Sequence, residues 1–172
     1  MAYVIAILNP KGGTGKTTLS INLARAFQMS GYRILIVDSD PQGTARDWSQ
    51  ANQEHYPNAR MPGVIGLDRP TLDKEIPSIS NAFDLIIVDG AAKLHQMTAS
   101  ALKVADTVLI PVQTSSPDIW SAMDLIDVIK ARQTATGGKP KAAFIVSRQT
   151  VGTRLAADID KALGEHGLPV FS

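Results

Sequence analysis

Lys11-Gly12-Gly13-Thr14-Gly15-Lys16-Thr17-Thr18 is the stretch from which the fold can be read. An apolar run, Tyr3-Val4-Ile5-Ala6-Ile7-Leu8, precedes it, and a helical pattern follows from Leu19. A glycine-rich turn between a strand and a helix N-terminus points several backbone N–H groups at one spot, where the helix dipole favours negative charge. Lys16 adds a full positive charge there, and Thr17 brings the hydroxyl expected to ligate Mg²⁺. The segment, from Gly12, Gly13, Thr14 and Gly15 to Thr18, reads as a triphosphate cradle.

The common phosphate-loop pattern would place glycine at Pro10, and the chain instead carries a second lysine, Lys11, at the start of the loop. Such a lysine can be a solvated loop residue.

Working outward, short apolar runs alternate with helical patterns, which argues for an α/β fold around a parallel sheet. The pattern predicts strands over 3–8, 33–38, 83–89, 107–111, 142–147 and 169–171. Several are apolar throughout, as expected of strands covered on both faces. Helices are predicted over 16–29, 44–53, 94–104, 119–134 and 153–166. Gly31 and Gly137-Gly138 are stop signals, and Asp118, after Pro117, is the expected N-cap of the fourth helix. Ile119, Met123, Ile126 and Ile129 give that helix a buried face. The proline-rich stretch 56–77 reads as an excursion at the sheet edge, with a short strand near 63–67 and a helix near 72–79.

Two acidic strings fall where strands end. Asp38-Ser39-Asp40-Pro41-Gln42 closes the second strand, at the edge where ligands of open α/β sheets bind. Carboxylates there can hold Mg²⁺ through water and orient an attacking water; an aspartate after a strand can also simply cap a turn or helix. Asp84-Leu85-Ile86-Ile87-Val88-Asp89-Gly90 has four apolar residues running into Asp89, a second candidate for Mg²⁺.

Bulk properties set limits. The chain has 172 residues, enough for one domain with a substantial core. Its formal net charge is +1, so it is not a strongly basic nucleic-acid binder by composition. Lys130, Arg132, Lys139, Lys141, Arg148, Arg154 and Lys161 gather in the C-terminal third, but interspersed acids make solvated helix faces the plainer reading. No apolar run approaches the roughly 20 residues of a membrane span, and no signal peptide is evident. Cysteine is absent, which excludes disulfides, thiolate zinc sites and cysteine-held iron–sulfur clusters, and is consistent with a reducing cytoplasm. His55, His95 and His166 have no metal-ligand spacing.

The octet at 11–18, in the form K-G-G-x-G-K-[ST], resembles the deviant Walker A ATPases, the group of ParA and MinD. The D-x-D-P-Q string resembles the ParA branch in particular, and the likeness runs from Tyr3 to Phe171 with the motifs in family order. It implies a P-loop NTPase fold, a mostly parallel twisted sheet flanked by helices on both faces. It implies ATP and Mg²⁺ as cofactors, with hydrolysis that is slow unless a partner stimulates it. Lys11 would reach across the interface of an ATP-dependent homodimer to the partner's phosphates, and Lys16 and Asp40 would complete the catalytic set. Thr17, Asp38 and Asp89 would serve the metal, and Arg148 would contact the adenine. Gly90-Ala91-Ala92 looks like the switch II turn, and the segment 111–120 resembles one that lies near the nucleotide and dimer interface in this group. Trp120 would pack at that interface or in the core.

For function, the resemblance implies non-specific DNA binding and DNA segregation with a ParB-like centromere-binding protein, in the cytoplasm at the nucleoid and without membrane attachment. The rivals are a MinD-like positioning ATPase, a nucleotide-dependent scaffold with little turnover and, more distantly, a metabolic ATP-dependent synthase. The chain resembles the short branch without an N-terminal helix-turn-helix domain. Its residues 1–172 are expected to form a single ATPase domain, short of the C-terminal segment usual in the group.

Overall fold

The computed structural model describes residues 1–92, 95–113, 116–147 and 163–171. In chain order the elements are β1 (Tyr3–Ile7), α1 (Lys16–Met29), β2 (Ile34–Asp38), α2 (Thr44–His55), β3 (Gly63–Gly66) and α3 (Leu72–Ile79). After a 3₁₀ turn at Ser80–Ala82 come β4 (Leu85–Asp89), α4 (His95–Val104), β5 (Thr107–Gln113), α5 (Ser116–Thr136), β6 (Lys141–Ser147) and β7 (Val170–Phe171). The strands form one seven-stranded sheet in the order β3-β2-β4-β1-β5-β6-β7. Every pairing among them is parallel.

Alternation along each strand splits the core in two. Val4, Ala6 and Leu8 join Leu35, Val37, Ile86 and Val88 on the face covered by α3, α4 and α5, where Ile76, Leu102, Ile126 and Ile129 are buried. Ile5 and Ile7 join Ile34, Ile36, Leu85 and Ile87 on the other face, against Ala24 of α1 and Ala45 of α2. Successive strand residues point to opposite faces, so covering both faces requires an unbroken apolar run. That is why β2 and β4 are buried along their whole length.

Strand order positions the site. β1 lies between β4 and β5; the connection from β1 runs to one side, to β2, and the connection from β4 crosses to the other side, to β5. Crevices at the carboxyl ends of strands form where the order reverses in this way. In register, Ile7 pairs with Asp89, and Asp38 pairs with Asp89. The loop after β1 and the acidic ends of β2 and β4 therefore meet at one edge.

The structure corrects several expectations. α5 starts at Ser116, so Asp118 lies inside its first turn and is not the N-cap. Pro117 is compatible with that start, because the first-turn N–H groups have no intrahelical partner to lose. Trp120 is not a core residue: it is 71 % exposed. The buried row of α5 is Ala122, Leu125, Ile126 and Ile129, and Trp120 falls outside it. β4 starts at Leu85 because residues 80–82 close a 3₁₀ turn before it. β3 is the edge strand, as the proline-rich excursion suggested. Most of the helix expected over 153–166 lies outside the described residues.

Candidate functional site

The loop after β1 is held from three sides. Asn9 donates through Nδ2 to the Pro111 carbonyl at 2.8 Å, and its Oδ1 accepts from the Lys11 amide at 2.8 Å. Gln113, ending β5, donates to the Gly13 carbonyl at 2.7 Å. The Ser147 hydroxyl, ending β6, stands 3.2 Å from the carbonyls of both Thr14 and Val112. Gly13 and Gly15 have φ of 76° and 93°, a region other residues rarely adopt. These glycines let the loop wrap back on itself and deliver the chain into α1 at Lys16.

Lys16 is buried, and its Nζ donates to the Lys11 carbonyl at 3.0 Å. Burial pulls its ammonium below the usual lysine range, against the opposing pull of Asp89 and Asp40. Asp89 is buried at the end of β4, where Ser20 Oγ lies 2.9 Å from its Oδ1. Its carboxyl is pushed up to about 6, chiefly by burial and also by the nearby charge of Asp38. Hydrogen bonds from Thr17 and Ser20 and the charge of Lys16 oppose that rise. Ser39 ties the end of β2 to the same place, its hydroxyl donating to the Asp89 carbonyl at 2.8 Å.

A cleft of about 310 Å³ opens over the loop, lined by Gly12, Gly13, Gly15, Lys16, Thr17 and Thr18, with Asp40, Thr44 and Ala92 opposite. Loop glycines, a buried cation and a threonine hydroxyl next to carboxylates are a donor set for a phosphate chain with a divalent cation. The residues present fit that group.

The structure thus brings together Gly12, Gly13, Gly15, Lys16, Thr17, Thr18 and Asp40 around the cleft, with Asp89 beneath Thr17. Thr14 is buried in the loop. Lys11 is part of the loop but does not line this cleft; it borders a neighbouring groove of about 510 Å³ between α4 and α5. Asp38 is wholly buried, accepting from the amides of Asp40 and Arg46 at 3.1 Å each. Arg148 lies outside the described residues. Among the described residues no group of three or more His, Asp and Glu stands close enough together to hold a metal ion by itself.

Five residues of the site were not picked out from the sequence: Asn9, Ser20, Arg46, Gln113 and Ser147. Ser20 had a local signal, since it sits one helical turn beyond Lys16 and Thr17 and shares their face. Asn9, Gln113 and Ser147 act between strand ends distant in sequence, Gln113 from within the segment 111–120, and Arg46 acts on the loop it follows, at Asp38 and Asp40.

Residues 5–172 match the model of the CobQ/CobB/MinD/ParA nucleotide binding domain. The chain belongs to this family. It is accordingly a P-loop ATPase domain of the ParA/MinD kind, which binds ATP with Mg²⁺. It is 28 % identical over 172 residues to "Maintenance of carboxysome distribution protein A" of Halothiobacillus neapolitanus, covering 99 % of this chain and 78 % of that protein. It is 29 % identical to the chromosome-partitioning ATPase Soj of Thermus thermophilus, covering 97 % of this chain and 78 % of that one. Among solved structures, apo McdA of Cyanothece superposes with a TM-score of 0.81 at 17 % identity, covering 100 % of this chain and 85 % of that one. The MinC:MinD complex of Aquifex aeolicus gives a TM-score of 0.76 at 21 % identity, covering 98 % of this chain and 79 % of that one. At these identities the structural likeness bears on the fold of this family member.

Proposed function

We propose that this family member is a slow ATPase whose ATP-bound form is a homodimer that binds DNA non-specifically and positions a cargo along it. The observation that carries this reading is the place of Lys11. It starts the phosphate loop, yet it borders the groove beside α4 and α5 and is not among the residues that line its own cleft. A cation so placed serves a phosphate chain held by a second copy. In the cleft itself, Lys16 meets the phosphate charge and Asp40 orients the attacking water. Thr17 and Asp89 would hold Mg²⁺, with Asp38 behind them, and the ion when bound neutralises charge on the phosphate oxygens. The role of Arg148 at the adenine stays part of this proposal.

The cargo has two readings. Relatedness to Soj and ParA supports DNA segregation with a centromere-binding partner of the ParB kind. Near-complete alignment with a carboxysome distribution protein supports positioning of a protein body instead. Both use the same switch, because a γ-phosphate contacted by two subunits biases the equilibrium between monomer and dimer. No helix among the described residues is long and apolar enough to cross a membrane.

Sedimentation of the wild type and Lys11→Ala with ATP and Mg²⁺, with and without duplex DNA, tests the reading. The expected result is an ATP-dependent dimer that associates with DNA in a salt-sensitive way and weakens in the variant. A wild type that stays monomeric with ATP bound overturns the cross-interface role of Lys11. Dimerisation without DNA binding removes DNA as the track.

A further inference from the structure

We propose that Arg46 is a positioning residue for Asp40, a clamp that fixes the loop between β2 and α2 against the phosphate cleft. The proposal rests on the reading above that Asp40 orients the attacking water. Arg46 lies in the first turn of α2, immediately after that loop. Its guanidinium spans two points of the segment it follows. Nη2 donates to the Asp40 carbonyl at 3.0 Å, and Nε lies 3.5 Å from Oδ2 of the buried Asp38. The Arg46 amide donates to the same Asp38 oxygen at 3.1 Å. One residue therefore holds the carboxylate at the start of the loop and the backbone of the residue that lines the cleft.

Two glycines make room for this side chain. A Cβ at Gly66, ending β3, would stand 2.8 Å from Arg46 Nη1 and 2.9 Å from its Cδ. A Cβ at Gly43 would stand 3.1 Å from both Nε and Nη2. Gly43 also has φ of 69°, and its amide donates to the Asp40 carbonyl at 2.9 Å. The guanidinium thus threads between the loop and the edge strand. Its Nε is buried without a hydrogen-bond partner, so the placement is not one that satisfies every donor. A planar guanidinium that donates to the Asp40 carbonyl while its Nε end lies beside the Asp38 carboxylate is an arrangement lysine lacks.

Asp40 touches the cleft; Arg46 does not, and it acts through Asp40. Removing it should leave nucleotide affinity close to that of the wild type and lower turnover, since a small misplacement of a reacting group costs about tenfold or more in rate.

The test compares wild type, Arg46→Lys, Arg46→Ala and Gly66→Ala in three measurements. These are MgATP affinity by calorimetry, steady-state ATP hydrolysis, and hydrogen exchange of the Asp40 and Gln42 amides in nucleotide-free protein. Arg46→Lys retains the charge beside Asp38 but not the fork. We expect it to bind MgATP normally, turn over about tenfold more slowly and exchange these amides faster. Gly66→Ala, with every charge in place, should shift the same way by displacing the guanidinium, and it decides the matter should Arg46→Ala not fold. Wild-type turnover and exchange in both Arg46→Lys and Gly66→Ala would overturn the clamp. A wild type without ATPase activity would overturn the functional reading, and the exchange comparison would still decide on the clamp.

Discussion

The Ser20 hydroxyl stands 2.9 Å from Asp89 Oδ1 and 2.9 Å from the Lys16 carbonyl, so one side chain joins the helix leaving the phosphate loop to the acidic end of β4. The residues are far apart in sequence, and both are buried. Their contact fixes the distance between the loop that would hold phosphate and the carboxylate that would hold the metal.

Ser20→Ala removes a hydrogen bond to a buried carboxylate that has few other donors. Leaving a buried acceptor under-satisfied costs about 1–3 kcal/mol, so urea unfolding of the nucleotide-free protein should show a loss of that size. The Asp89 carboxyl should titrate higher still, because a bond that favours its ionised form has gone. Unchanged stability would mean that Thr17 alone satisfies Asp89.

Asp89 gives stability a pH dependence of unusual sign. Its folded-state carboxyl is pushed up to about 6 from an ordinary 3.8. Between those values the folded chain holds more protons than the unfolded chain, so stability falls as pH rises through the window. The contribution is about 3 kcal/mol, present below about pH 4 and lost above about pH 6. Asp84, held down to about 2 by Arg33, acts with opposite sign at lower pH. Its contribution is present above the ordinary carboxylate value and is lost as pH falls toward about 2. Denaturant titrations across the range should therefore show an Asp89→Asn variant that lacks the downward slope of the wild type between about pH 4 and about pH 6. Parallel curves would place the proton elsewhere.

Gly90→Ala should be poorly tolerated. A Cβ there would stand 2.5 Å from Leu8 Cδ2 and 2.6 Å from the Ile7 carbonyl oxygen, and the second of these is backbone. The Gly90 amide donates to that same carbonyl at 3.0 Å, so β4 and β1 must part for the methyl to fit. Overpacking of this kind costs about 1–3 kcal/mol, to be read from the thermal midpoint. Nucleotide affinity should weaken as well, because Ile7 and Leu8 lead directly into the phosphate loop. A variant with wild-type midpoint and affinity would show that the strand ends part without penalty.

Much of this molecule was legible because local chemistry left little choice. α1 runs over Lys16–Met29 and α3 over Leu72–Ile79, the bounds expected from pattern and punctuation. The glycine-rich stretch between a strand and a helix announced a phosphate-binding turn, and apolar runs without polar alternation announced strands buried on both faces. Trp120 shows where the same logic fails. Hydrophobicity alone allowed a core residue, but angular position on α5 sets it outside the buried row. Asp118 shows another failure, since a capping residue type beside a proline fitted two starting points and the helix took the earlier one.

By itself the sequence determined the elements, their parallel arrangement and the octet that cradles phosphate, because propensity, periodicity and turn chemistry act over a few neighbouring residues. Only the tertiary structure decided what holds that octet in place: Gln113 on the Gly13 carbonyl, Ser147 beside Thr14, Ser20 on Asp89. It also decided that Arg46 threads between Gly43 and Gly66, and that Lys11 borders a groove outside its own cleft. Each of these contacts depends on which strands become neighbours and in what register. That is settled by how all the apolar faces are buried together, a property of the whole sheet that no short stretch carries.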